Sequence, residues 1–587
     1  MRVHRVFFVI AALFILVNVA FAQTNASQGY PRDWSNSHVI FTNGGNATQR
    51  AAAQQDPRLL HNWFYRNSML VQRRPGPDTL AAPEARQLDL ASRFRNASIN
   101  LRKQKNSDID WAISLGNAAG MKQGVFPAKY TFDYTQPSCA NDFIVYVIGG
   151  TPGVGSHANI IALNNLYTGT TSSSCPNGPQ TPPTTNLTSA TFMWSYALGN
   201  AAINLSPVLS LDGKQVAVVT NNNPAILHVL TPVAGQGTNA TTGAVAVGSG
   251  SVDQTLSYTN ITTAGCTASP SVNTGSAPYV DYVHNYIYVG ADNGVLYRIK
   301  NVFGSTPALD YCITVSAGRK LTAPILDFAS GKVFVSDGRS VFGFTPGATS
   351  FTAAGSIQVG FNFTSISLAP TVDSTNGFMY VFSSRNTANT GAIVSQIPTT
   401  LASKIDARIG PATASVLLDG TFDNAYFMNG PAAGTMYACG TQATSGTRPS
   451  LYAIGFAANG QMNTTLAMSD NRRINAAAGN GPAGVCSPIT EYFDGTHDRM
   501  FVGTGNATGT GGANLVTMWV IDSRLTATST PTASATNEIG GVSGISVDND
   551  STIPQASSIY FGTLFHSNAA PCGNNYCAVK LTQGALQ

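Results

Sequence analysis

Ser269 to Ile299 reads SPSVNTGSAPYVDYVHNYIYVGADNGVLYRI, and this stretch constrains the fold more than any other. A small residue and a proline open a short apolar strand. The alternating run Tyr286-Ile287-Tyr288-Val289-Gly290 follows, then an Asp292-Asn293-Gly294 turn, then a further strand from Val295 to Ile299. Short alternating strands bounded by Gly, Asn, Asp and Pro are the signature of antiparallel hairpins. Versions of this paragraph recur along most of the chain. Inner strands opening with a small residue and proline are expected at Ser206-Pro207, Ser269-Pro270, Ala323-Pro324, Ala369-Pro370 and Ser487-Pro488. Counting each inner strand with its second strand gives eight units, near Tyr130, Pro207, Pro270, Pro324, Pro370, Phe422, Pro488 and Gly544. At roughly 60 residues and four strands per unit, the pattern predicts an all-β, eight-bladed β-propeller, with seven blades as the alternative count.

The repeat begins at Trp111 and runs to Gln587. Trp111 to Leu115 reads as an outer strand with no earlier blade of its own, and the chain ends after a third strand, Tyr576 to Leu581. Pairing the two would hide both sheet edges and lock the ring. Residues 23–110 have a different texture. They hold a possible strand at His38 to Thr42 and several arginines, and Asp56-Pro57 resembles a helix cap followed by proline at the first helical position. Leu59, Leu60, Trp63, Phe64 and Leu70 then recur near helical spacing, predicting a short helix from Pro57 to Leu70. This partly helical extension is expected to pack on the propeller as a basic strap. Residues 1–22 combine Arg2, His4 and Arg5 with an apolar run and Ala20-Phe21-Ala22. That is the layout of a signal peptide cleaved near Ala22, and it predicts a secreted or periplasmic protein without a stable membrane span.

Composition narrows the partners. Only 10% of residues are charged and the net charge is +4, so clustered phosphate-neutralising cations are lacking and nucleic acid is not an expected partner. A protein or carbohydrate ligand and a monomeric state are expected. The eight cysteines of an exported chain predict disulfides. Nearest-neighbour spacing pairs Cys139 with Cys175, Cys266 with Cys312, Cys439 with Cys486, and Cys572 with Cys577. By loop entropy the last is worth roughly 2 kcal/mol and the first ~4 kcal/mol.

At the repeat level the chain resembles the PQQ-like propellers of the quinoprotein alcohol dehydrogenase-like superfamily. The likeness is carried by Trp194-Ser195-Tyr196, Ser206-Pro207 and Asp212-Gly213-Lys214, and again by Ala323-Pro324 and Ser330-Gly331-Lys332 with Val333-Phe334-Val335. Asp33-Trp34 also looks like the opening of secreted bacterial members. The resemblance implies the propeller fold and raises pyrroloquinoline quinone with calcium as a cofactor alternative. The catalytic members carry two adjacent cysteines, absent here, and a tryptophan docking motif in most blades, matched here only by Trp111 and Trp194. No cofactor and no catalytic residue is carried over.

The remaining residues offer little chemistry. The eight histidines show no ligand spacing, so no metal site is expected. The propeller contains two glutamates, Glu491 and Glu538, and Glu491 falls near the end of an inner strand, as a general acid, a calcium ligand or a solvated turn residue. Asp548-Asn549-Asp550-Ser551 lacks the rest of an EF-hand and reads as a polar turn. Arg319-Lys320 and Arg472-Arg473 are placed in connections leading to inner strands, where four cations could line a funnel for an anionic ligand. The leading expectation is a non-catalytic binding or protein-interaction scaffold. The alternative is a quinoprotein-type oxidoreductase or a carbohydrate-active propeller enzyme.

Overall fold

The computed structural model describes residues 29–42, 56–58, 108–132, 138–149, 157–167, 189–199, 201–247, 252–258, 272–413, 415–441, 449–464, 472–473, 484–493, 497–506, 515–526, 529–536, 541–548, 558–566 and 571–582. Eight sheets form a propeller ring. Blade 3 shows the plan, with Tyr279–Asp281 innermost, then Tyr286–Gly290, Val295–Lys300 and Ala308–Thr314 outermost, all antiparallel. The inner strands of blades 1, 2 and 4 are Ala128–Thr131, Val208–Leu209 and Ile325–Asp327. Those of blades 5, 6 and 8 are Thr371–Asp373, Gly420–Phe422 and Ser546–Asp548. Blade 7 uses two short inner pieces, Gly484–Cys486 and Thr490–Phe493, both paired with Asp498–Asn506.

The sequence pattern has a physical basis at both ends of the inner strand. A hydroxyl just before the strand accepts from the backbone at the end of the second strand. Ser276 Oγ takes Gly290 N (2.8 Å), Ser487 Oγ takes Gly503 N (2.8 Å) and Ser543 Oγ takes Gly562 N (2.9 Å). Glycine is required at the second position because the next blade's connection lies against it. A Cβ on Gly503 would sit 2.2 Å from Val542, and one on Gly290 2.6 Å from Leu321. At the far end an aspartate closes the hairpin: Asp281 accepts from Val283 N, Asp327 from Ser330 N, and Asp373 from Asn376 N. These aspartates are buried, and burial makes their hydrogen bonds obligatory.

Ring closure follows the expected route. Asp108–Gly116 pairs antiparallel with Tyr576–Thr582, matching Trp111 with Lys580 and Ser114 with Cys577. A buried network ties this blade to blade 1. Lys129 Nζ lies 2.8 Å from Asp548 and donates to Thr131 Oγ1 (2.6 Å) and Tyr167 OH (3.2 Å). Tyr167 donates in turn to Asp142 (2.6 Å), and Lys580 pairs with Asp110 at 3.3 Å. Burial lowers the Lys580 ammonium to about 8, with Asp110 opposing the shift, and raises the Asp142 carboxyl to about 6.

Two expectations need correcting. The third inner strand opens at Ala277-Pro278 rather than at Ser269-Pro270, because only the later dipeptide leaves a short hairpin to Tyr286–Gly290. Arg472–Arg473 is the outermost strand of blade 6, paired with Ser450 and Leu451, rather than a connection. Of the expected helix from Pro57 to Leu70, only Pro57 and Arg58 are described. Both are helical, and Asp56 Oδ1 caps Arg58 N at 2.9 Å. The signal-type segment 1–22 lies outside the described residues. Cys439–Cys486 joins blade 6 to blade 7, and Cys572–Cys577 closes a small loop in blade 8. Cys139 and Cys312 are also disulfide-bonded, with Cys175 and Cys266 outside the described residues.

Candidate functional site

The inner strands of a propeller leave their innermost edges facing a central channel, and unpaired edges are open hydrogen-bonding surfaces. Two of these edges are taken by the chain's own N-terminal segment. Tyr30–Arg32 adds antiparallel to blade 1, setting Tyr30 opposite Thr131 and Arg32 opposite Lys129. Val39–Ile40 adds parallel to blade 5, setting Val39 opposite Val372. Blades 1 and 5 face each other across an eight-membered ring, so residues 30–42 form an arch that runs along one wall, crosses the channel and returns along the opposite wall.

The crossing is one turn of 3-10 helix, Trp34–Ser37, capped by Asp33, whose Oδ1 accepts from Ser35 N at 3.0 Å. Asp33 Oδ2 accepts from Tyr282 OH (2.9 Å) and Leu209 N (3.4 Å), anchoring the turn to blades 2 and 3. Burial raises the Asp33 carboxyl above its usual range, against the pull of these hydrogen bonds. Trp34 donates to Pro278 O (3.2 Å) and packs edge-on against Tyr279 and His38. His38 is held neutral, its pKa lowered to about 4 by burial. Arg32 donates to Val547 O in blade 8 and to Tyr30 OH, with its guanidinium 5.9 Å from the Tyr492 ring of blade 7. At the far foot, Thr42 exchanges hydrogen bonds with Thr375 and Asn376.

Beside the arch remains a cleft, part of it continuous with solvent, bounded by the inner strands of blades 5 to 8. Arg32, Asn36 and Ser37 of the arch form one side. Phe126, Phe422, Phe427 and Tyr492 supply aromatic wall, and Asp419, Thr421, Thr490 and Glu491 supply polar groups. Asp419 stands out. It is 5% exposed, its Oδ1 accepts from Ile489 N at 2.9 Å, and its other oxygen has no protein partner among the described residues. Burial raises its carboxyl to about 7, with the Ile489 hydrogen bond as the opposing influence. Neighbouring Asp423 is also raised, first by burial, with Glu491 adding to the shift.

Of the residues singled out from sequence, Glu491 belongs to this cleft, on the second inner piece of blade 7. Glu538 lies outside the described residues. Arg319 stacks 3.8 Å from the Phe363 ring, and Lys320 pairs with Asp292 at 3.2 Å, both between blades 3 and 4. Arg472 and Arg473 form the outermost strand of blade 6. His228 is buried in blade 2 against Asp253, while His284 pairs with Asp281 at an exposed hairpin. Asp548 ends an inner strand in the seam network. Among the described residues no three His, Cys, Asp or Glu side chains converge as a metal site. Asp419 escaped the sequence reading because Asp419-Gly420 looks like a hairpin turn. Gly420 instead opens an inner strand, where a Cβ would meet Tyr437 O at 2.6 Å.

Ring, closure and channel define the molecule as an eight-bladed β-propeller. No protein-family model matches the chain, and no curated protein matches it. Among solved structures it is similar to BamB from Moraxella catarrhalis, with 11% identity, 81% of this chain and 99% of that chain covered, and a TM-score of 0.38. It is also similar to a putative 6-phosphogluconolactonase from Bacteroides fragilis, with 11% identity, 66% and 96% coverage and a TM-score of 0.34. The WD40 propeller domain of Doa1 matches with 8% identity, 80% and 98% coverage and a TM-score of 0.34.

Proposed function

We propose that this chain is an extracytoplasmic binding propeller that holds a ligand in its capped channel without chemistry of its own. The arch is the observation that carries this reading. A channel occupied by its own chain along two opposite walls leaves, among the described residues, a side cleft that combines aromatic wall with a few polar groups, the usual make-up of a small-molecule site. Export is supported by the disulfides, which form and persist in oxidising compartments, and by the signal-type residues 1–22 with cleavage near Ala22. No helix among the described residues is long and apolar enough to cross a membrane.

Pyrroloquinoline quinone with calcium suits these residues poorly. The quinone carries three carboxylates, and the cleft would set Asp419 and Glu491 against them, with a single guanidinium already donating to Val547 O and Tyr30 OH. A carbohydrate-active enzyme is the second reading, favoured by one observation: a carboxyl raised to about 7 shares the cleft with Glu491, and acid–base catalysis works best with a pKa near ambient pH. Incubation with the quinone, calcium and a redox dye is expected to give no dye reduction. Chromogenic glycosides are expected to remain intact. Turnover in either assay overturns the non-catalytic reading.

A further inference from the structure

We propose that the cleft between the arch and blades 5 to 8 binds a neutral polyhydroxylated molecule, a sugar or sugar-like polyol, with Asp419 accepting from one of its hydroxyls. The proposal rests on the binding reading above and gives it a ligand class. A buried carboxylate oxygen without a partner is costly, and native proteins satisfy nearly all such groups. At the seam the Lys129–Asp548 and Lys580–Asp110 pairs are internal to the fold. Asp419 is equally buried, and among the described residues one of its oxygens meets Ile489 N while the other opens on the cleft. A hydroxyl of a ligand in the cleft can donate to that oxygen.

The rest of the lining selects among donors. A bare ammonium would find Asp419 and Glu491 but would also face the Arg32 guanidinium; a phosphate would find Arg32 but face both carboxylates. A neutral ligand carrying several hydroxyls can donate to the carboxylates, accept from Arg32, and exchange hydrogen bonds with Thr421. Phe427 and Tyr492 contribute apolar lining. Aromatic walls with a few placed polar groups are the usual make-up of a small-molecule site.

The test uses the full disulfide-bonded chain and a panel of glucose, galactose, N-acetylglucosamine and maltose, read by saturation-transfer NMR and titration calorimetry. At least one sugar is expected to bind saturably. Asp419→Asn keeps an oxygen for Ile489 N while turning a donor toward the cleft, and it is expected to weaken that sugar about tenfold or more. Thr421→Val, which leaves the carboxylates in place, is expected to weaken it less. Should no sugar bind at millimolar concentration, or should both variants bind as the parent does, the proposal falls. Binding of choline in preference to every sugar overturns it too. These outcomes leave the binding reading standing, whereas a sugar that binds and is chemically altered supports the site and removes the non-catalytic reading.

Discussion

Two of the regions of the inner ring that bury charge treat it in opposite ways. At the seam between blades 8 and 1, Lys129, Asp548, Tyr167 and Asp142 form a linked set of ion pair and hydrogen bonds, with Lys580 and Asp110 beside them. Across the channel, Asp419 is as deeply buried but is met by a single backbone N–H. The seam is what a ring needs where its two chain ends meet: breaking any member strands another. The cleft is what a ligand needs, a pre-placed polar group whose complement the protein withholds. Buried charge alone therefore does not mark a site; a buried carboxyl with an oxygen open to a cleft does.

Three substitutions would break or sharpen that contrast. The largest effect is expected from Lys129→Met, which leaves Asp548 without its partner. Removing one member of a buried pair costs about 3–5 kcal/mol, measurable by urea unfolding, and a loss below about 1 kcal/mol would show the seam to be dispensable. Trp34→Ala should come next. It empties the middle of the arch, where the indole is 3% exposed, for a cost of about 3 kcal/mol. If the arch forms the cleft wall, the same variant also loses sugar binding. The smallest effect is expected from Asp419→Asn, and it shifts with pH by roughly 2–3 kcal/mol between pH 5 and pH 8. The folded carboxyl titrates at about 7 against 3.8 for the ordinary group, so the folded state holds the extra proton between those values. Parent stability therefore falls as pH rises through that window. Thermal unfolding should show the variant gaining on the parent from pH 5 to pH 8. A constant difference would mean that Asp419 is not a buried acid.

Much of the ring was legible because its repeat is local. A hydroxyl, a three-residue strand, an aspartate and a glycine lie within about fifteen residues of one another, a separation at which spacing encodes geometry. Closure by Trp111 to Leu115 could be read from counting strands. Blade 3 was misplaced because two small-residue–proline dipeptides stand eight positions apart and both fit the motif; only the hairpin to Tyr286 chooses between them. Arg472–Arg473 was misread because charged pairs are common in loops, and pairing with Leu451 is visible only in three dimensions. The arch and cleft escaped for a deeper reason. Nothing near Tyr30 or Val39 names Thr131 or Val372 as a partner, and Asp419 becomes noteworthy only once its surroundings are known.

The arch also sets an order of events. Thr42 and Thr375 are 333 positions apart in the chain, and Arg32 and Val547 are 515 apart. The segment that leaves the ribosome early therefore has no complete place to rest until nearly the last blade has been made. Contacts so distant along the chain form late, because the loops they close must first be shortened by other structure. Until then the channel stands open, and residues 30–42 settle only after blades that follow them by hundreds of positions.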